Sequence, residues 1–343
     1  MRRGATAMPV VDRLLDSAEP SVRWGMRVRV LGESATSPTN RALREEIRRS
    51  PRVRALLSAR DREGRVEPAR HPYAKWQGAH WVLLHLAELG YPPGDGALFP
   101  VRDQVLDAWL DPFYFAEFEA KSSSQAYGKH GVPVMQGRHR RCASQQGNAL
   151  FAILALGLDD GRVPRLVERL LHWQWPDGGW NCDKNPSADT SSFVETIWPL
   201  RGLALYARKK SSKPARLAAA RASDVLLSRH LFKRRSTGKP IHPEFSLLHF
   251  PSYWHYDILA GLRVMAAAGF VKDARCAAAL DLLESKRLED GGWPAEKRYY
   301  KVGQALTLGA DRVDWGGTSR RAMNEWVTVE ALSVLQAAGR RPR

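Results

Sequence analysis

Apolar positions recur along this chain in two helical rhythms. In RVPRLVERLLHW, residues 162–173, Val163, Leu166, Val167, Leu170 and Leu171 fall at i, i+3, i+4, i+7 and i+8, giving the helix one apolar stripe and one face for water. A second kind of segment is apolar on nearly every side, follows a loop of variable length and stops at a glycine. The endings are LAELGY at Gly90, LALGL at Gly157, MAAAGF at Gly269 and LQAAGR at Gly339, with RVLGE at Gly32 as a first copy. Glycine closes a helix in the left-handed conformation, and a helix that is apolar all round must be enclosed by others. The pattern predicts inner helices at about 21–32, 73–90, 143–157, 191–208, 253–269 and 323–339. Outer helices alternate with them at about 41–58, 101–118, 162–174, 215–231 and 273–287.

Sliding ARCAAALDLLESKRLEDGGW under GRVPRLVERLLHWQWPDGGW pairs Arg275 with Arg162, Leu280 with Val167, Asp281 with Glu168, Leu283 with Leu170, and the whole Asp-Gly-Gly-Trp. The chain is thus built from degenerate helical hairpins. The last inner helix lacks an outer partner and the segment MPVVDRLLDS (8–17) lacks an inner one, so the two ends can complete each other. The expected architecture is all-α: an α/α toroid of about six hairpins, forming one domain over residues 1–343, with parallel inner helices lining a central cavity. An open solenoid would instead need polar-faced capping helices. In each Asp-Gly-Gly-Trp the glycines allow a turn through positive φ, and the tryptophan folds back as a plug between hairpins, its N–H seeking a carbonyl. Trp180 and Trp293 are therefore expected to be scaffold residues.

With 343 residues, 44% hydrophobic and 26% charged, the chain is long enough to bury a sizeable core. No apolar run approaches the length of a membrane span, MRRGATAMPVVDRLLDS has no signal-like apolar stretch, and three cysteines make no disulfide framework. A cytoplasmic protein is expected. The formal charge of +17, from 53 Lys and Arg against 36 Asp and Glu, brings anionic partners into view, nucleic acid included. The basic residues are dispersed, however, and the densest run, Arg138-His139-Arg140-Arg141, is short.

The stretch Gln174-Trp-Pro-Asp-Gly178-Gly-Trp180 resembles the Q-x-x-x-G-x-W repeat of squalene–hopene cyclases and related terpenoid cyclases; Asp290-Gly-Gly-Trp293 repeats it with Arg287 in the glutamine position. The resemblance, to the terpenoid cyclase and protein prenyltransferase superfamily, implies the α/α toroid. It brings no catalytic residue with it. The D-x-D-D acid of class II cyclases is absent, since Gly157-Leu158 precede Asp159-Asp160, and the prenyltransferase Asp-x-Cys pair is replaced by adjacent Cys182-Asp183.

Parallel inner helices would bring all their N-termini to one rim, and the residues there are polar and aromatic. Glu195 is expected to act as acid or base, with Asp257 and His255 as the second proton-transfer group or its orienter and Glu325 as a further candidate. Substrate contacts are expected from Trp76, Gln77, His80, Gln145, Asn148, Tyr253, Trp254, Tyr256, Trp315 and Asn324. The helix dipoles, with Arg141 and Arg320, would favour an anionic group on a partly apolar small molecule. A cofactor is not specified. Zinc would have to use Cys142 and Cys182 with His130, His139 or His255 as third ligand and Asp183 as fourth, at none of the usual spacings; no stoichiometric zinc is expected. Cys276 is expected in the core. The alternatives are a nucleic-acid-binding or -processing protein using the basic rim, and a non-catalytic interaction scaffold.

Overall fold

A computed structural model describes residues 9–67, 71–303 and 307–340. The helices, in chain order, begin with α1 Val10–Leu15, α2 Pro20–Gly25, α3 Pro38–Arg48, α4 Pro51–Leu57, α5 Ala79–Leu89, α6 Phe99–Leu110, α7 Pro112–Phe115 and α8 Ser123–Tyr127. They continue with α9 Ala143–Ala155, α10 Val163–His172, α11 Phe193–Lys210, α12 Lys213–Leu227, α13 Ile258–Ala268, α14 Ala277–Ser285 and α15 Glu325–Ala338. A π-helical turn, Met26–Val30, extends α2. The fold is the expected α/α toroid: α2, α5, α9, α11, α13 and α15 are inner, and the elements between them cover the outside.

Inner helices pack side by side in parallel. Along α9 and α11, Ser144 meets Glu195, Gly147 lies against Trp198 and Pro199, and Leu150 meets Gly202, so both chains advance in the same direction. A Cβ on Gly147 would come within 2.3 Å of the Pro199 nitrogen, so only glycine allows this approach. α5, α13 and α15 end at Gly90, Gly269 and Gly339 in the left-handed conformation, as read from the sequence. The predicted outer helix 41–58 is two helices, because Ser50 caps a new start at Pro51. The predicted inner starts at 73 and 253 come too early: residues 73–78 and 253–257 are rim loop.

The ends meet. α1 lies on the second Asp-Gly-Gly turn, with Arg13 bonded to the Asp290 carbonyl at 3.0 Å, and Ser17 donates to Glu325 at 2.8 Å. Met8 of the predicted closing segment falls outside the described residues.

The two Trp turns are built alike. Trp180 Nε1 donates to the Leu170 carbonyl at 3.0 Å, and Trp293 Nε1 to the Leu283 carbonyl at 2.7 Å. Gly178 and Gly291 carry φ of 105° and 86°. Gln174 Nε2 donates to the Gly178 carbonyl, and Arg287 Nε to that of Gly291, so the arginine makes the glutamine's bond. Both indoles are buried.

Little sheet is present: β1 Glu117–Glu119 pairs parallel with β2 Val132–Met135, which pairs antiparallel with β3 Arg138–His139. β4 Lys301–Val302 and β5 Ala310–Asp311 form a parallel pair. No helix among the described residues is long and apolar enough to cross a membrane.

Candidate functional site

The starts of the inner helices carry three polar groupings set among aromatic rings. In the first, a parallel bridge between Arg140 and Asn181 lays residues 140–142 beside 181–182 and brings Cys142 to Cys182 across forty residues of sequence. Glu195, in the first turn of α11, completes the group. Its Oε2 accepts the Ser144 N–H at 2.9 Å and its Oε1 lies 3.5 Å from Cys182 Sγ. The sulfurs and the carboxylate all lie within 4.8 Å of one another. Burial pushes the Glu195 carboxyl upward against the Ser144, Cys182 and Arg141 contacts that favour its charge. The Cys182 thiol is pushed strongly upward by its hydrogen bond to Cys142, then by burial and by Glu195.

Arg141 is buried beside this group. Its Nη2 donates to Gln145 Oε1 at 3.1 Å, and its guanidinium lies 5.8 Å from both the Trp109 and Trp173 rings and 6.0 Å from Tyr114. Tyr73, packed against Trp81 and His80, stands on the same side, its phenol raised by burial and by the nearby Glu195.

The second grouping centres on Asp311, which sequence reasoning missed. Its Oδ2 accepts from Tyr253 OH at 2.6 Å and from Trp315 Nε1 at 3.0 Å, and His85 Nδ1 lies 3.9 Å away. His80 accepts from Trp109 Nε1 at 3.3 Å and is pushed down to about 3 by burial. Trp76 stacks on Tyr253 at 4.0 Å and donates to the Tyr299 carbonyl. Gln77 donates to the Gly303 carbonyl, and Asn148 to that of Tyr253.

In the third, His255 is sandwiched between Trp254 at 4.1 Å and Tyr299 at 3.4 Å and is pushed down to about 3 by burial. Lys75 lies 4.8 Å over the Trp254 ring. Asp257 caps α13 through Ala260 N at 2.7 Å and accepts from His249 N at 2.9 Å, with His249 Nδ1 also at 2.9 Å.

Of the predicted site residues, Glu195, Gln145 and Arg141 come together, as do Trp76, Tyr253, Trp254 and His255. Tyr256 points elsewhere: its hydroxyl donates to the Leu231 carbonyl and its ring packs on Phe193 and Phe245. Asn324 caps α15 and ties it to the Trp315 carbonyl, Glu325 joins Ser17 at the closure, and Arg320 is exposed. Cys276 is core.

The partner of the two cysteines is Glu195. His130 stacks on Phe113, His255 sits in its sandwich, and Asp183 turns outward to cap Asn185. His139 instead joins Glu117 and His172 in a separate, more exposed group.

Farther along the inner helices, past their first turns, lies a chain of ion pairs: Arg29 to Glu330 at 2.5 Å, Glu330 to Arg263 at 2.7 Å, Arg263 to Glu88 at 2.6 Å and Glu88 to Arg201 at 2.5 Å. It borders a cavity of about 350 Å³ that Phe151 and Trp198 help to line. Its members are isolated charges within apolar segments, which is the signal that would have found them.

No protein-family model matches the chain, and no curated protein does. Among solved structures it is similar to unsaturated glucuronyl hydrolase from Bacillus sp. GL1, responsible for the degradation of glycosaminoglycan. That likeness has 16% identity and a TM-score of 0.43, and covers 92% of this chain and 84% of the other. It is also similar to a type II terpene cyclase from Scytonema, in complex with the substrate geranylgeranyl dihydroxybenzoate, with 16% identity, a TM-score of 0.26, and coverage of 87% and 99%.

Proposed function

We propose that this toroid is an enzyme acting on a small molecule with an anionic group and an apolar portion, and that its reacting centre is Glu195 with Cys142 and Cys182, beside Arg141. The observation that carries the reading is the convergence of a buried carboxylate, two thiols and a buried guanidinium where α9 and α11 begin. Core packing requires none of these groups, and burying a carboxylate and a guanidinium costs stability that a purely structural site would avoid. Arg141 and the helix N-termini provide for the anion, and Tyr73, Trp109 and Tyr114 for the apolar part. On this reading Asp257 and Glu325 belong to the framework, and His255 to the aromatic wall.

A thermal-shift screen of prenyl diphosphates, sugar acids and other carboxylates tests it. Arg141→Gln should weaken any hit at least tenfold, whereas a hit bound equally well by the variant would remove Arg141 from the site.

One observation favours a second reading, nucleic-acid binding. Arg229, His230, Lys233, Arg234 and Arg235 line a pocket of about 390 Å³ after the end of α12. Binding through such a cluster must fall log-linearly with salt, and absence of oligonucleotide binding at low salt would dispose of it.

A further inference from the structure

We propose that Cys142, Cys182 and Glu195 bind one zinc ion through two thiolates and a carboxylate, leaving a fourth coordination position open to a ligand. The inference rests on the reading of this group as the reacting centre and names what that centre holds. It reverses the expectation drawn from spacing alone.

Geometry comes first. The three ligand atoms lie within 4.8 Å of one another. Ligand atoms on a tetrahedral zinc with Zn–S bonds near 2.3 Å stand about 3.8 Å apart, so side-chain rotation suffices to close the set. Three separate pieces of chain make it: the start of α9, the segment after Trp180, and the first turn of α11. Cys142 occupies the N-cap of α9 and makes no capping bond there, a position where Ser, Asn or Asp would serve the helix better.

The donor chemistry then selects the ion. Two sulfurs favour a borderline-soft divalent metal over magnesium or calcium, and a carboxylate is an ordinary third ligand for zinc. Binding releases the two thiol protons to solvent. The resulting charge, three ligand anions and a dication, is minus one, and the buried Arg141 cation beside the group cancels it.

Outer contacts are in place as well. Ser144 N holds one oxygen of Glu195 while the other faces Cys182, and Gln145 holds Arg141. Three protein ligands with one open position is the arrangement of a reactive zinc, whereas structural zinc is closed by four. Tyr73 and the Arg141 cage border the group.

Elemental analysis of the full chain tests this directly. Reduced protein, stripped with a chelator and reloaded with Zn²⁺, should carry one equivalent, and Co²⁺ should give the intense spectrum of tetrahedral cobalt–thiolate coordination. Cys142→Ser and Cys182→Ser, each checked for folding by circular dichroism, should fall below about a tenth of an equivalent. Cys276→Ser should keep the metal. Wild-type protein that takes up no zinc while reduced overturns the proposal, as does a Cys142–Cys182 disulfide that zinc does not prevent. Metal lost on His139→Gln and kept by the cysteine variants would place the ion at Glu117, His139 and His172 and also overturn it. The anion screen is read independently: ligand binding without zinc leaves the proposed function standing, and zinc without ligand binding leaves only the metal site.

Discussion

Glu195 reaches from the first turn of α11 to the main-chain N–H of Ser144 in α9, at 2.9 Å. One carboxylate oxygen thereby joins two inner helices while the other faces the thiol of Cys182. Glu195→Gln keeps an acceptor for Ser144 and removes the charge. Turnover of an identified substrate should drop by about 10²–10⁴ while the unfolding midpoint hardly moves. Full turnover in this variant would relocate the chemistry.

Asp257→Asn should behave in the opposite way. Its carboxylate caps α13 and pairs with the buried His249, so stability should fall by about 2–4 kcal/mol in chemical denaturation while turnover per folded molecule stays within a few-fold.

Trp180 is buried and tied to the Leu170 carbonyl through its indole. Trp180→Ala should cost about 3–5 kcal/mol without selectively weakening a ligand. An unchanged melt would refute the plug role.

Glu88 sits between Arg201 and Arg263; burial opposes its charge, and the two arginines hold its carboxyl well below the usual range. Removing that charge strands the buried Arg201, while Arg263 keeps Glu330, so Glu88→Gln should lose about 3–5 kcal/mol. A double variant that also replaces Arg201 by Met should recover part of it, which denaturation of the set will show.

Acid should destabilise the fold as soon as the histidines of the unfolded chain begin to take up protons. His80 and His255 are held down to about 3, chiefly by burial and then by His85 and His249 respectively. Below pH 6.5 the unfolded chain takes up protons that these folded side chains refuse, so stability falls as pH falls. His249 works the other way. Burial opposes its charge, Asp257 outweighs burial and raises its pKa, and its contribution is present below pH 6.5 and lost as pH rises through the folded value. Burial lowers His71, His85 and His139 as well, so with His249 alone raised among the described histidines the net loss from pH 6.5 to 5 is at least about 2–4 kcal/mol. His80→Gln should flatten that slope in pH-dependent denaturation.

The toroid was legible because helix type is written in periodicity: a stripe for α10, apolar faces all round for α9, and glycine stops at Gly90, Gly269 and Gly339. Polar residues at the rim were legible too, since they begin the inner helices. Which of them touch was not. Cys142 meets Cys182 only through the Arg140–Asn181 bridge, a long-range pairing with no local pattern. Asp311 ends the two-residue strand β5 between helices, where no repeat marks it, and its burial depends on Trp315 four residues on and on Tyr253 arriving from elsewhere.

The two Trp turns are each fastened to the next inner helix by matching bonds, among them Trp180 N–H to Thr196 Oγ1 and Trp293 N–H to Thr328 Oγ1, spanning 16 residues in one copy and 35 in the other. The anchor points are fixed while the chain between them is free to lengthen. In the longer copy that slack holds Tyr299, Tyr300, Asp311 and Trp315, the groups that wall the rim. On the proposed function, a change of substrate could therefore be written into the segment between Trp293 and Thr328, by insertion or exchange, with both anchor bonds left intact and the ring undisturbed.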